Sequence, residues 1–248
     1  MPRILVIEPR EAEAGAVPSG GRGDGTMPVA LDPGTEIVRR PTRLTAASVG
    51  SAPEALLLDL AVYHAGLGAE AEGFDAVYVH HAADPGVAAL RSALSLPVLG
   101  AGRPAMLYAL TLGSRFSVLA PDAATAARLR KAVHDMGLEA LCASVRALVG
   151  EVSRGDAALE GARLCVEADV AEVIVLGSTR MADVAATLSG LGIPVVDPGP
   201  VGLALVESFL ALHLRHSRRA HPEPMVRKDA LVRALVAAAA EAGGRGAR

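Results

Sequence analysis

The sequence contains no tryptophan, and aromatic residues make up only 2% of its 248 positions. Few rings are therefore available to stack against bases, which disfavours the binding of single-stranded nucleic acid. No block of like charges occurs in the first two hundred residues, and the formal net charge is -3. Nucleic-acid-binding proteins usually carry clustered basic residues, so this charge balance disfavours a nucleic-acid partner and favours a small polar ligand.

Long apolar runs and a cysteine framework are also missing. Gly, Asp, Arg or Pro interrupts every apolar stretch before it reaches membrane-spanning length, so we expect a soluble protein with no membrane partner. The chain opens on a strand-like run without a charged leader, which predicts a cytoplasmic location. Its two cysteines, Cys142 and Cys165, fall in predicted core elements and are expected to be inert thiols.

What the sequence does contain is an alternation of short β-branched runs with longer Ala- and Leu-rich segments. This alternation predicts an α/β fold in which crossover helices join parallel strands. The predicted strands are 3–7, 35–39, 76–80, 98–99, 115–119, 139–145, 172–176 and 195–196. The predicted helices are 53–72, 86–93, 103–112, 123–136, 155–168, 181–191 and 199–216, with another beginning at 229.

Two parts of the chain repeat one order of elements. Segments 75–81 and 172–178 each read as a strand and a polar loop, followed by a helix and a strand that starts at proline. We therefore expect two pseudo-symmetric α/β halves, each a mainly parallel sheet flanked by helices, with the active site in the cleft between them. The first predicted domain is 1–97 with 211–248, and the second is 98–210.

Polar residues follow several predicted strands directly, where open α/β sheets bind their ligands. The candidate site residues are Glu8, Arg10, His80, His81, Asp84, Ser178, Thr179 and Arg180. Segment 11–29 is rich in Gly, Ala and Pro, and it is expected to be either a lid or a surface insertion. No nucleophile elbow, Walker loop, dinucleotide glycine fingerprint or paired CxxC motif occurs.

Several segments of the chain match the pattern of one known superfamily, in order and at similar spacing. In the first half these are 4–9 (ILVIEP), 33–38 (PGTEIV), 75–77 (DAV), 84–86 (DPG), 97–100 (PVLG) and 112–118 (LGSRFSV). In the second half they are 175–178 (VLGS), 181–182 (MA) and 192–198 (GIPVVDP). These segments resemble the hydantoin racemases of the aspartate/glutamate/hydantoin racemase superfamily. The resemblance covers about residues 3–210 and implies the superfamily's two-part α/β fold.

The resemblance also implies a type of chemistry and an assembly. Two cysteines of the family flank a stereocentre, and one removes the proton next to a carbonyl while the other returns a proton on the opposite face. The equivalent positions in this sequence are His81 and Ser178, so both catalytic cysteine positions are substituted. The family's reaction involves no metal or organic cofactor, and its members commonly form homo-oligomers.

Each substituted position suggests a specific role. An imidazole exchanges protons near neutrality, so His81 is the first candidate for the general base or acid. Ser178, with the amides of Ser178 and Thr179, could hold an oxyanion or carboxylate, or serve as a helix N-cap. Glu8 could orient His81, bind an amide or act as a second base. Strand alternation predicts that His80 points away from His81.

Less specific roles fall to the other candidates. Arg10 or Arg180 could bind a substrate carboxylate in place of the hydroxyl residues that the family often has after the 115–119 strand. Thr179, His80 and Asp84 are further candidates for substrate contact. A metal site built from Glu8 and the two histidines is disfavoured, because adjacent strand residues diverge.

Three functions follow as hypotheses. The preferred one is a cofactor-independent isomerase that transfers a proton at the carbon next to a carbonyl of a small carboxylate or cyclic amide. The second is a decarboxylase or lyase on the same fold with one-sided acid/base chemistry, as in arylmalonate decarboxylase. The third is a non-catalytic ligand-binding homologue.

Overall fold

The structure is a computed structural model, and it describes residues 1–9, 31–42, 50–149 and 154–245. The chain divides into two compact units. Unit 1 comprises Met1–His80, Pro85–Leu99 and Ala204–Arg248, and unit 2 comprises His81–Asp84 and Gly100–Leu203. Each unit is built around a four-stranded parallel sheet, which confirms the predicted α/β fold of two similar halves.

In unit 1 the strand order is β2-β1-β3-β4. The strands are β1 (Arg3–Glu8), β2 (Glu36–Pro41), β3 (Ala76–Val79) and β4 (Val98–Gly100), and the first helices are α1 (Ala52–Gly66) and α2 (Val87–Ala93). Leu5 and Ile7 of β1 pack with Val77 and Val79 of β3 in the core beneath these helices. Burial of such aliphatic side chains is the main favourable contribution to folding.

In unit 2 the strand order is β6-β5-β7-β8. The strands are β5 (Phe116–Ala120), β6 (Cys142–Ala147), β7 (Val173–Leu176) and β8 (Val195–Val196). The helices are α3 (Gly102–Ala109), α4 (Ala123–Asp135), α5 (Arg154–Glu167) and α6 (Ala182–Leu188), with short 3-10 turns at Thr179–Met181 and Ser189–Leu191. Two hydrophobic clusters fill the faces of this sheet, one lined by α3 and α4 and the other by α5 and α6.

Two helices complete the described chain. α7 (Pro198–Ala211) begins in unit 2 and ends in unit 1, and α8 (Asp229–Arg245) packs against α1. In the part of the chain that the structure describes, no helix is both long enough and apolar enough to cross a membrane.

The predicted helices 53–72 and 199–216 are both too long. The first ends at Gly66, and the residues after it form turns that close at Gly73, where φ is 76°. The second ends at Ala211, because His213 adopts a left-handed φ of 52° and the Leu214 amide donates to the Phe209 carbonyl at 2.9 Å. This closing bond is typical of a helix C-terminus, and apolar periodicity alone does not reveal it.

Candidate active site

Two of the predicted site residues lie at neighbouring strand ends in unit 1. Glu8 is the last residue of β1, and His80 follows β3, which pairs with β1 in parallel. The His80 amide donates to the Ile7 carbonyl at 2.9 Å, so the pairing continues to the ends of both strands. The carboxyl edge of this sheet therefore carries a carboxylate and an imidazole, as the sequence predicted.

The Glu8 carboxylate has a defined partner on the edge strand. The Arg39 guanidinium of β2 lies 2.7 Å from Glu8 Oε1, and both side chains are about one-third exposed. An ion pair at this degree of exposure contributes little to stability but holds the carboxylate in place. Sequence analysis missed Arg39, because the pairing of β2 with β1 was not evident from the sequence.

His81 lies in a tight turn that belongs to unit 2. The Ala83 amide donates to His81 Nδ1 at 3.1 Å, and the Asp84 amide donates to the His81 carbonyl at 3.1 Å. While a neutral imidazole accepts a hydrogen bond at Nδ1, its own proton is on Nε2. The turn therefore selects one tautomer and makes Nε2 a hydrogen-bond donor.

Asp84 closes this turn onto the start of α3. Its two carboxylate oxygens accept the amides of Gly102 and Arg103, each at 2.8 Å. These are the first two residues of the helix, whose amides have no partner within the helix itself. Sequence analysis suggested that Asp84 contacts substrate, and the structure shows its carboxylate engaged in capping α3.

Ser178 follows β7 and begins the 3-10 turn Thr179–Met181. Its Oγ accepts the Arg180 amide at 3.2 Å, so the predicted N-cap role is observed. A hydroxyl that accepts in this way retains its own proton to donate elsewhere. Thr179 is half-buried and Arg180 is exposed.

The His81 turn and Ser178 lie at the same end of unit 2. α3 packs against β7, and after α3 ends, Gly113 lies against Glu172 and Val173 at the amino end of that strand. The eight residues of α3 rise about 12 Å, and the four residues of β7 span about 13 Å. The start of α3, which Asp84 caps, therefore lies level with the carboxyl end of β7, where Ser178 follows.

A family model for Asp/Glu/hydantoin racemase matches residues 34–206 of this chain. The chain belongs to the Asp/Glu/hydantoin racemase family. The hydantoin racemase of Rhizobium meliloti is 31% identical over 181 residues, which cover 68% of this chain and 74% of that protein. The predicted membership in the superfamily is thereby confirmed.

Solved structures of similar fold support the same conclusion. Allantoin racemase from Pseudomonas fluorescens is 28% identical with a TM-score of 0.77, and the match covers 91% of this chain and 98% of that one. A liganded variant of arylmalonate decarboxylase is 19% identical with a TM-score of 0.60, and the match covers 84% and 92% of the two chains. The second likeness concerns the fold alone.

In this racemase-family chain, the two thiols lie in unit 2 on β6 and α5. Burial raises the pKa of Cys142 to about 11, and it also raises the pKa of Cys165. Cys165 is fully buried, and its sulfur lies 3.9 Å from the hydroxyl of Ser144. Both thiols are held in the protonated form, which is poorly nucleophilic.

A further carboxyl lies at the end of β8, the strand next to β7. Burial raises the pKa of Asp197, although the Gly199 amide, which donates to its Oδ1 at 2.9 Å, acts in the opposite direction. Sequence analysis did not select this residue. Its signal was an Asp directly before the proline that begins α7, a pattern typical of helix N-caps.

The chain after β1 carries two of the predicted features, Arg10 and segment 11–29. Both lie outside the described residues. Among the described residues, no group of three or more His, Cys, Asp or Glu side chains is arranged to hold a metal ion.

Proposed function

We propose that this chain is a cofactor-independent isomerase that exchanges the hydrogen on the carbon next to a carbonyl in a hydantoin-like cyclic amide or a small carboxylate. Family membership and the relatives named for hydantoin and allantoin support this proposal. Allantoin and 5-monosubstituted hydantoins both carry a ring stereocentre whose hydrogen lies next to a carbonyl. Removal of that hydrogen leaves an enolate, and a site that stabilises the enolate lowers the barrier.

The observation that carries the proposal is the hydrogen bond from the Ala83 amide to His81 Nδ1. It orients the imidazole and directs an N–H group, at Nε2, away from the turn. In the proposed reaction water removes the proton from one face of the reacting carbon, and Nε2 of His81 delivers its own proton to the opposite face. The imidazolate left behind regains a proton from water. Ser178, at the same end of unit 2, donates its hydroxyl proton to the enolate oxygen, as an oxyanion-hole donor does.

In this proposal His81 and Ser178 stand at the family's two cysteine positions, and their chemical difference suits this division of roles. An imidazole exchanges protons near neutrality, whereas an unassisted serine hydroxyl does not. Glu8, paired with Arg39, is assigned no proton transfer. It supports the carboxyl edge of the unit 1 sheet electrostatically.

A second candidate function is decarboxylation, and the tautomer of His81 favours it. An imidazole with its proton on Nε2 is prepared to donate rather than to accept. When the bond to the leaving carboxylate breaks, carbon dioxide departs, the electron pair forms the enolate, and Nε2 supplies a proton to the carbon. The imidazolate left behind regains a proton from water.

The test is hydrogen exchange in deuterated water with enantiopure 5-substituted hydantoins and arylmalonates. We expect the wild type to replace the ring hydrogen by deuterium, observed as loss of its proton NMR signal above the spontaneous rate. His81→Asn should lower that rate at least about 10²-fold, and Ser178→Ala about 10²–10³-fold. His134→Gln removes an exposed histidine on α4 and is the control that should match the wild type.

Three outcomes separate the hypotheses. Deuterium incorporation that depends on His81 supports the isomerase. Release of carbon dioxide from arylmalonates, without exchange in hydantoins, supports the decarboxylase. If no candidate is turned over, yet hydantoins bind with equal affinity to wild type and His81→Asn, then the chain is a ligand-binding homologue and the proposal is wrong.

A further inference from the structure

The turn that carries His81 is joined to α3 by contacts that leave very little space. A Cβ atom at Gly102 would overlap the carbonyl oxygen of Ala82, and one at Gly100 would overlap the side chain of Asp84. Both positions therefore require glycine because of close approach rather than because of their backbone angles. The turn and the start of α3 form a single packed element.

Asp84 is the residue that binds the two parts together. Its backbone is left-handed, with φ at 51°, a conformation that Asp and Asn tolerate better than most residues. Its carboxylate satisfies the first two amides of α3 and lies at the positive end of that helix. Each oxygen of the Asp84 carboxylate therefore has a structural partner, and the carboxylate occupies the amino end of α3.

We propose that Asp84 is a positioning residue for His81: by capping α3 it fixes the turn that keeps the His81 proton on Nε2. The chain of contacts is short and continuous. Asp84 fixes its own backbone against α3, its amide holds the His81 carbonyl, and the intervening Ala83 amide holds Nδ1. This inference rests on the proposed role of His81, and it assigns Asp84 a function other than substrate contact.

Three substitutions separate the contributions of Asp84. Asp84→Asn keeps the left-handed backbone and one acceptor oxygen, but it turns an NH₂ group toward one of the two helix amides. Asp84→Gly keeps the backbone conformation and removes both acceptors. Gly102→Ala leaves the carboxylate intact and forces the Ala82 carbonyl away. Asp75→Asn is the matched control, because the Asp75 carboxylate accepts the Arg3 amide at 2.8 Å before the amino end of β3.

The decisive readout is the tautomer of His81 in the ligand-free protein, observed in long-range ¹H–¹⁵N NMR spectra. The seven histidines are compared with those of His81→Asn to assign the signal. In the wild type and Asp75→Asn we expect the pattern of a single Nε2–H tautomer. In Asp84→Gly we expect signals averaged between the two tautomers. The signals of Asp84→Asn should lie between those of the wild type and those of Asp84→Gly.

Kinetics supply the second readout. Misplacement of a catalytic group by about 1 Å can cost about 10²-fold. We therefore expect Asp84→Gly to lower kcat by about 10–10²-fold while KM changes less than about threefold. A residue that contacts substrate would instead raise KM. If Gly102→Ala does not fold, the two Asp84 variants still decide the question.

The proposal is overturned if His81 in Asp84→Gly keeps the wild-type tautomer, or if Asp75→Asn changes it equally. Either result leaves the proposed function intact. Conversely, a changed tautomer in Asp84→Gly together with full activity of His81→Asn would support positioning and remove the proposed function. The two ideas therefore fail on different measurements.

Discussion

Stability in mild acid should depend on one histidine in the segment between α7 and α8. His216 Nε2 accepts the Val98 amide at 2.8 Å, at the start of β4. Burial lowers the pKa of His216 to about 4, and the nearby charges of Arg91, His221 and Arg218 act in the same direction. The folded state therefore holds this imidazole in its neutral form, which is the form that accepts the Val98 amide.

The sign of the effect follows from proton binding. Between pH 6.5 and about 4 the unfolded chain holds a proton at His216 that the folded chain does not, so acid favours unfolding. The stabilisation is fully present above pH 6.5 and is lost as the pH falls toward 4. The full difference in pKa corresponds to about 3.4 kcal/mol, and solvent screening at a half-buried ring reduces this to about 1–2 kcal/mol.

The assay is urea unfolding, followed by circular dichroism, at pH 7.5 and pH 4.5. Between pH 7.5 and pH 4.5 the wild type should lose about 1–2 kcal/mol more free energy of unfolding than His216→Gln. The glutamine amide oxygen can accept the Val98 amide but does not titrate. His213→Asn removes a nearby exposed histidine, tolerates the left-handed backbone and should behave like the wild type. Protection of the Val98 amide from hydrogen exchange should fall in parallel. Equal pH dependence in wild type and His216→Gln would refute the reasoning.

Two further predictions concern thiol reactivity and helix capping. Because burial holds Cys142 and Cys165 protonated, iodoacetamide at pH 7.5 should alkylate both slowly in the native protein, by mass spectrometry, without loss of activity. Rapid alkylation with inactivation would show that the site includes a thiol. Arg218 donates to three carbonyls at the end of α2, from 2.8 to 3.2 Å, so Arg218→Ala should cost about 1–3 kcal/mol in urea unfolding. Arg218→Lys should recover only part of this loss, and an unchanged midpoint in Arg218→Ala would contradict the capping role.

Much of the fold could be predicted because it is encoded locally. Buried parallel strands appear as short β-branched runs, and the polar residues directly after them mark the strand ends. For this reason the loops that contain Glu8, His81 and Ser178 could be selected from the sequence, and the family resemblance singled out His81 and Ser178 within them. The ends of α1 and α7 could not, since left-handed residues such as His213 terminate helices without changing the apolar pattern.

The contacts that organise the site could not be predicted because their partners are distant in sequence. Asp84 meets α3 eighteen residues later, and Glu8 meets Arg39 across a strand pairing thirty-one residues away. No local pattern encodes either contact. The position of the proton on His81 depends on the local turn that Asp84 closes. The proposed chemistry of His81 could therefore be inferred only from the tertiary structure.

The most direct test of the central claim is where deuterium appears early in the conversion of an enantiopure hydantoin in deuterated water. Because His81 donates to one face of the carbon and the proton on the other face exchanges with water, the account predicts that protonation of the enolate from either face introduces deuterium. The recovered starting enantiomer should therefore gain deuterium at least as fast as the opposite enantiomer forms. Deuterium confined to the inverted product, with an unlabelled starting enantiomer, would require two equivalent carriers and would contradict the account.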